Sequence, residues 1–111
     1  MYKLITTIIL IGFSCVAMAE SSDTVKSDNA DGAALFKSKT CWSCHGKDAK
    51  TPLLPAYPKI AGQNKDYALV QMKDIKSGVR SNGQSAGMKG IMMLVNDEEM
   101  EIIAEWLSTL D

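Results

Sequence analysis

The strongest pattern in the chain lies at its end. In "NDEEMEIIAEWLSTL", Met100, Ile103, Leu107 and Leu110 recur at intervals of three and four, and Ile102 and Trp106 widen the stripe. That is the period of an amphipathic helix. Asn96 stands at the N-cap, and Asp97, Glu98 and Glu99 place negative charge at the positive end of the helix dipole. A second stripe, Ala68, Leu69, Met72, Ile75 and Val79, follows Asn64 as cap, with Gly78 suited to the C-terminal stop. A shorter helix is expected over "GAALFKSKT", capped by Asp31, with Leu35 and Phe36 as its apolar residues. Two segments lack a period. Residues 46–63, with Pro52, Pro55 and Pro58, read as a long irregular stretch, and residues 80–90, "RSNGQSAGMKG", read as a glycine-rich loop. A structureless stretch as long as the first needs a reason in a small domain, and wrapping a bound group is one. No stretch alternates with period two and no internal repeat is present, so the expected class is all-α, with about three main helices.

The first nineteen residues belong to another kind of pattern. Lys3 precedes a mostly apolar run that is densest at "IILIGF", and "AMA" at 17–19 has the small-x-small form of a signal-peptidase site. The run is short for a membrane span, which needs about 20 apolar residues. Residues 1–19 are therefore expected to be a cleaved signal peptide rather than an anchor. Cys15 follows "GFS", a poor match to a lipoprotein sequence. Residues 20–30, "ESSDTVKSDNA", are polar and aperiodic and read as a disordered leader, which leaves 31–111 as the folded domain.

Composition narrows the classes further. The 111 residues suit one small domain. With 12 basic and 13 acidic residues, the charge balance offers no basic excess for nucleic acid. Signal cleavage would remove Cys15 and leave Cys41 and Cys44 alone. An exported domain normally uses disulfides to close long loops. A bridge across two residues closes almost none, so this pair is expected to carry chemistry.

The pair sits in "CWSCHG", residues 41–46, with the only histidine of the chain, His45, directly after Cys44. Three chemistries use a Cys-x-x-Cys pair. A redox dithiol of the thioredoxin kind needs a βαβ framework, for which this chain has neither strands nor length. A structural zinc site needs four ligands, and after Cys41, Cys44 and His45 no further Cys or His follows. Covalent haem c accounts for every feature. Two thiols spaced by two residues match the two vinyl groups, and the next residue brings its imidazole to the iron.

With these residues in place, residues 31–111 resemble a class I c-type cytochrome, and in particular the small bacterial monohaem proteins and single domains of the bacterial dihaem cytochromes. The matching elements, in order, are "GAALF", "CWSCHG", "YPKIAGQ", "SGVRSN", "GMKG" and the final helix. The resemblance implies one haem c bound through Cys41 and Cys44, helices packed around it, and an N-terminal helix crossing the C-terminal one at Gly32, near Phe36 and Trp106. It implies His45 and a methionine as axial ligands of the iron. Of the five methionines after residue 19, Met72 and Met100 lie on helix stripes, and Met92 and Met93 lie in an apolar run, so all four read as core. Met88 lies between Gly87 and Gly90, where a loop can bend toward a haem face, and matches the family's ligand position; Met92 stands second. Pro58 matches the proline whose carbonyl accepts a hydrogen bond from the proximal histidine, with a plain loop proline as the lesser alternative. Ile60 would line the haem. Arg80 would pair with a propionate, or else be a solvated arginine.

With both axial positions filled, the resemblance implies a periplasmic one-electron carrier and no enzymatic activity. Its expected partners are redox proteins: membrane cytochrome complexes, terminal oxidases, or periplasmic reductases and dehydrogenases. No nucleic acid partner and no membrane insertion after signal cleavage are expected. Two alternatives stand beside the carrier. One is a haem c subunit of a larger dehydrogenase complex. The other is a five-coordinate gas-binding protein, in which the motif would lie near the C-terminus.

Overall fold

The computed structural model describes residues 29–111. The expected signal peptide, Cys15 and residues 20–28 of the expected leader lie outside the described residues. Among those described there are helices and no strand: α1 (Asn29–Ser38), α2 (Trp42–His45), α3 (Lys65–Ser77), α4 (Ser85–Met92) and α5 (Asp97–Ser108). No described helix is long and apolar enough to cross a membrane. The three longest are the three expected from periodicity.

Local chemistry explains their ends. The Asn64 side chain accepts from the Tyr67 backbone N–H at 3.0 Å. Asn96 and Glu99 form a reciprocal capping box, with Glu99 N–H to Asn96 Oδ1 at 2.9 Å and Asn96 N–H to Glu99 Oε2 at 3.0 Å. α1 begins at Asn29, two residues before Asp31, so Asp31 lies in the first turn instead of capping it. Its carboxylate still meets the positive end of the dipole there.

α5 is the centre of the packing. Met100, Ile103, Ala104 and Leu107 are buried along it, facing Phe36 of α1 and Ala68, Met72 and Ile75 of α3. α1 crosses α5 at Gly32, where an added Cβ would lie 2.1 Å from the Cβ of Trp106. Next to the crossing, the Phe36 and Trp106 rings pack with centroids 5.0 Å apart, tilted by 48°. A methyl group on Gly32 has no space to enter, so α1 must lift off. Gly32→Ala is expected to cost about 1–3 kcal/mol, the usual penalty of overpacking. A guanidinium denaturation midpoint unchanged by the substitution would show that the crossing tolerates the bulk.

Three expectations change. Residues 85–92 form α4, so Met88 stands on a helix and not in a loop. The two glycines inside α4 each cost roughly 1 kcal/mol of helix propensity. Burial of Ser85 and Met92 offsets that cost, an effect that no local pattern reveals. Met93 is 60 % exposed and is not core, because it follows the last turn of α4 on the outer side. Val79 is 78 % exposed, since α3 has already ended at Gly78 and the stripe does not continue past it.

Candidate functional site

Residues 41–63 build one wall of a central cavity. The backbone N–H groups of Cys44 and His45 both bond to the Cys41 carbonyl, at 3.2 and 3.0 Å, which winds the motif into the single turn of α2. Residues three apart on such a turn share a face, and both cysteines line the cavity. At Gly46 the chain reverses with φ +86°, and a Cβ would lie 2.1 Å from the Thr51 carbonyl oxygen. A side chain at this position meets both the left-handed backbone and that clash.

The long irregular segment is held by its own bonds. Asp48 Oδ1 accepts from the N–H groups of Lys50 and Thr51, both at 2.9 Å. These bonds hold the Asp48 carboxyl below the ordinary carboxylate range. Ala49 is fully buried, and its carbonyl accepts from Ile60 N–H at 3.0 Å and Ala61 N–H at 3.1 Å. Leu53 N–H returns to the Cys44 carbonyl at 3.0 Å, and Gly62 N–H reaches Leu107 of α5 at 2.8 Å. The stretch is thus an ordered strap. It delivers the Pro58 carbonyl to 2.9 Å from His45 Nδ1. A carbonyl only accepts, so Nδ1 carries the proton and donates, which leaves Nε2 with a free lone pair. His45 is buried, 6 % exposed, and lines the cavity.

The cavity measures about 550 Å³, within the usual range of cofactor sites. Met72 of α3 and Met88 and Met92 of α4 line it together with the strap. Met88 and Met92 are four residues apart on α4 and so share a face; Met88 is half-buried, whereas Met92 is packed into the core at 2 % exposure. Ile60 also lines the cavity. So does Arg80, whose Nη1 donates to Gln71 Oε1 at 3.0 Å, and Gln71 lines the cavity beside it. The structure therefore brings all seven sequence-derived site residues, Cys41, Cys44, His45, Pro58, Ile60, Arg80 and Met88, to one cavity. Sequence reasoning missed Gly46, Ala49 and Gln71. The glycine after the histidine was the one signal that could have been followed; Ala49 and Gln71 act through contacts that no local pattern marks.

The chemistry of the lining separates the three readings of the motif. Cys41 and Cys44 are free thiols. Burial, with a smaller contribution from Cys44, pushes the Cys41 thiol up to about 11. A reactive redox dithiol needs the opposite, a lowered thiol. Among the described residues, no three His, Cys, Asp or Glu side chains converge as ligands for a bare metal ion. Two thiols, an imidazole with a free nitrogen, a thioether and an otherwise mainly apolar wall fit a haem c.

Comparison with known proteins agrees with the geometry. The family model described as "Cytochrome c" matches residues 29–111. Cytochrome c4 of Pseudomonas aeruginosa is 34 % identical over 98 % of this chain, which spans 49 % of that protein. The "Thiosulfate dehydrogenase electron acceptor" of Stutzerimonas stutzeri is 34 % identical over 71 % of the chain and 35 % of its own length. The chain thus spans about half or less of these longer relatives. Cytochrome c-553 of Nitratidesulfovibrio vulgaris is instead similar nearly end to end, 30 % identical over 93 % of the chain and 97 % of the relative. A family match over the whole described fold, and a relative of matching length, establish that the chain belongs to the cytochrome c family.

Proposed function

We propose that the protein is an exported one-electron carrier that holds a single haem c between His45 and Met88. The family implies covalently bound haem c. One observation carries the ligand reading: His45, its ring fixed by Pro58, and Met88 line the same cavity from different elements. Bound haem c supplies a reversible ferric–ferrous couple. Cys41 and Cys44 would hold it as thioethers. His45 would bind iron through Nε2, its ring orientation fixed by the bond from Nδ1–H to Pro58. Met88 would supply the second ligand, whose soft sulfur would favour the ferrous state. Arg80, steadied by Gln71, would meet a propionate. With His45 and Met88 both holding the iron, the residues would support electron transfer and not a reaction at the iron. The relative named as an electron acceptor of thiosulfate dehydrogenase supports a dehydrogenase as one class of donor. The signal-like N-terminus supports a periplasmic location.

The test is a spectroelectrochemical titration of the purified holo-protein, followed by its reoxidation by membranes of the source organism. A reversible one-electron wave and membrane-dependent reoxidation are expected; without that wave the carrier reading fails. Docking should depend on salt. Lys37, Lys47 and Lys50 are exposed near the motif, whereas Lys39 is engaged internally. Transfer to an acidic partner is expected to slow as salt rises, because charges are screened over about 10 Å at 0.1 M. A rate independent of ionic strength would remove electrostatic steering.

A further inference from the structure

The short link between α4 and α5 carries bonds that helix geometry does not require. The Lys39 ammonium donates to the Leu94 carbonyl at 2.8 Å and stands 3.1 Å from Glu99 Oε2. The Lys76 ammonium, from the last turn of α3, donates to the next carbonyl, Val95, at 2.5 Å. Two consecutive carbonyls are thus each capped by a cation from a different part of the fold. Glu99 completes the assembly by accepting from Asn96 N–H, so the same carboxylate closes the capping box and anchors Lys39. That bond and the lysine hold the Glu99 carboxyl below its ordinary range. Both lysines are half-buried, and charge-assisted bonds of this kind are among the stronger ones in proteins.

The placement of the clamp gives it a further role. Leu94 and Val95 lie two and three residues past the end of α4, the helix that carries Met88. Lys39 stands two residues before Cys41. The Lys39 bond is therefore a strut from the thiol-bearing side of the cavity to the end of the methionine-bearing helix, and it does not pass through the cofactor. We infer that Lys39 and Lys76 are positioning residues that keep Met88 on the iron. They hold the link just past the C-terminal end of α4 and so oppose a shift of that helix, which would draw the sulfur away. This inference rests on Met88 being the distal ligand.

Cyanide replacing the distal ligand of the ferric holo-protein reads that opening directly. Lys39→Met and Lys76→Met each keep the aliphatic stem and remove the ammonium. Each is expected to speed cyanide binding about tenfold, the change in open population that follows loss of one bond to a charged group. Lys65→Met is the control. Its exposed pair with Glu105, 2.7 Å long, makes the same charge change far from this link, and the rate should not change. Lys76→Arg, which retains a cationic donor, should recover most of the slow rate. A role in general stability alone would lower the denaturation midpoint and leave the cyanide rate at the control value, and that result overturns the proposal. The two lysines are tested independently, so loss of one variant to misfolding leaves the other decisive. Met88→Ala separates the levels. If it binds cyanide no faster than the unaltered protein, the ligand reading fails and the clamp with it. If it binds fast while both lysine variants remain slow, the clamp alone fails.

Discussion

Met88→Ala is expected to abolish the weak red absorption band that a thioether ligand gives ferric haem in this family. The potential should fall, and the iron should become open to cyanide and carbon monoxide. The physical reason is that alanine has no donor atom to replace the sulfur, while the Pro58 carbonyl still holds His45 Nδ1 at 2.9 Å. Loss of the soft ligand removes its preference for the ferrous state. Met92→Ala is the informative comparison, because Met92 lines the same cavity one helical turn away. Its side chain is 2 % exposed and packed into the core, so its removal should cost about 2–5 kcal/mol of stability and keep the band. Met93→Ala, at a 60 % exposed position, should change neither property. If the band survives in Met88→Ala and disappears in Met92→Ala, the two methionines exchange roles and electron transfer still stands.

Removing both proposed attachment points should have the largest effect on the fold. Cys41→Ala with Cys44→Ala is expected to leave a poorly ordered chain that gives a weak helical circular dichroism signal and no cooperative melt. Core residues of α1, α3 and α5, among them Phe36, Met72, Ile75 and Ile103, face the central cavity of about 550 Å³. Without the bound group these apolar side chains would face water instead of a packed neighbour, and the burial that orders them would be lost. A domain of this size has only about 5–15 kcal/mol of stability to lose. The strap of residues 46–63 is exposed to the same failure, since its bonds tie it to α2 and α5 and form no regular element. A fully helical apo-protein with a sharp thermal transition would show that the polypeptide core suffices.

The sequence alone determined the features that short stretches of residues decide. Asn64 and Asn96 cap α3 and α5, because a side chain reaching the third N–H of a helix is a local event. The stripe on α5 predicts its buried face for the same reason. The spacing of Cys41, Cys44 and His45 is a local feature as well, and it places all three on the single turn of α2 or at its start. Tertiary structure decided what depends on partners far along the chain. α4 is a helix against its glycine content because burial of Met92 and Ser85 compensates weak propensity. Met92 is core and Met93 surface, although they are adjacent in one apolar run, because α4 turns one inward and the other outward. Ala49, Gln71, Lys39 and Lys76 acquire their roles only when the strap, α3 and the link after α4 meet. Their bonds span up to 55 residues of sequence, a separation at which no local pattern constrains which side chain meets which carbonyl.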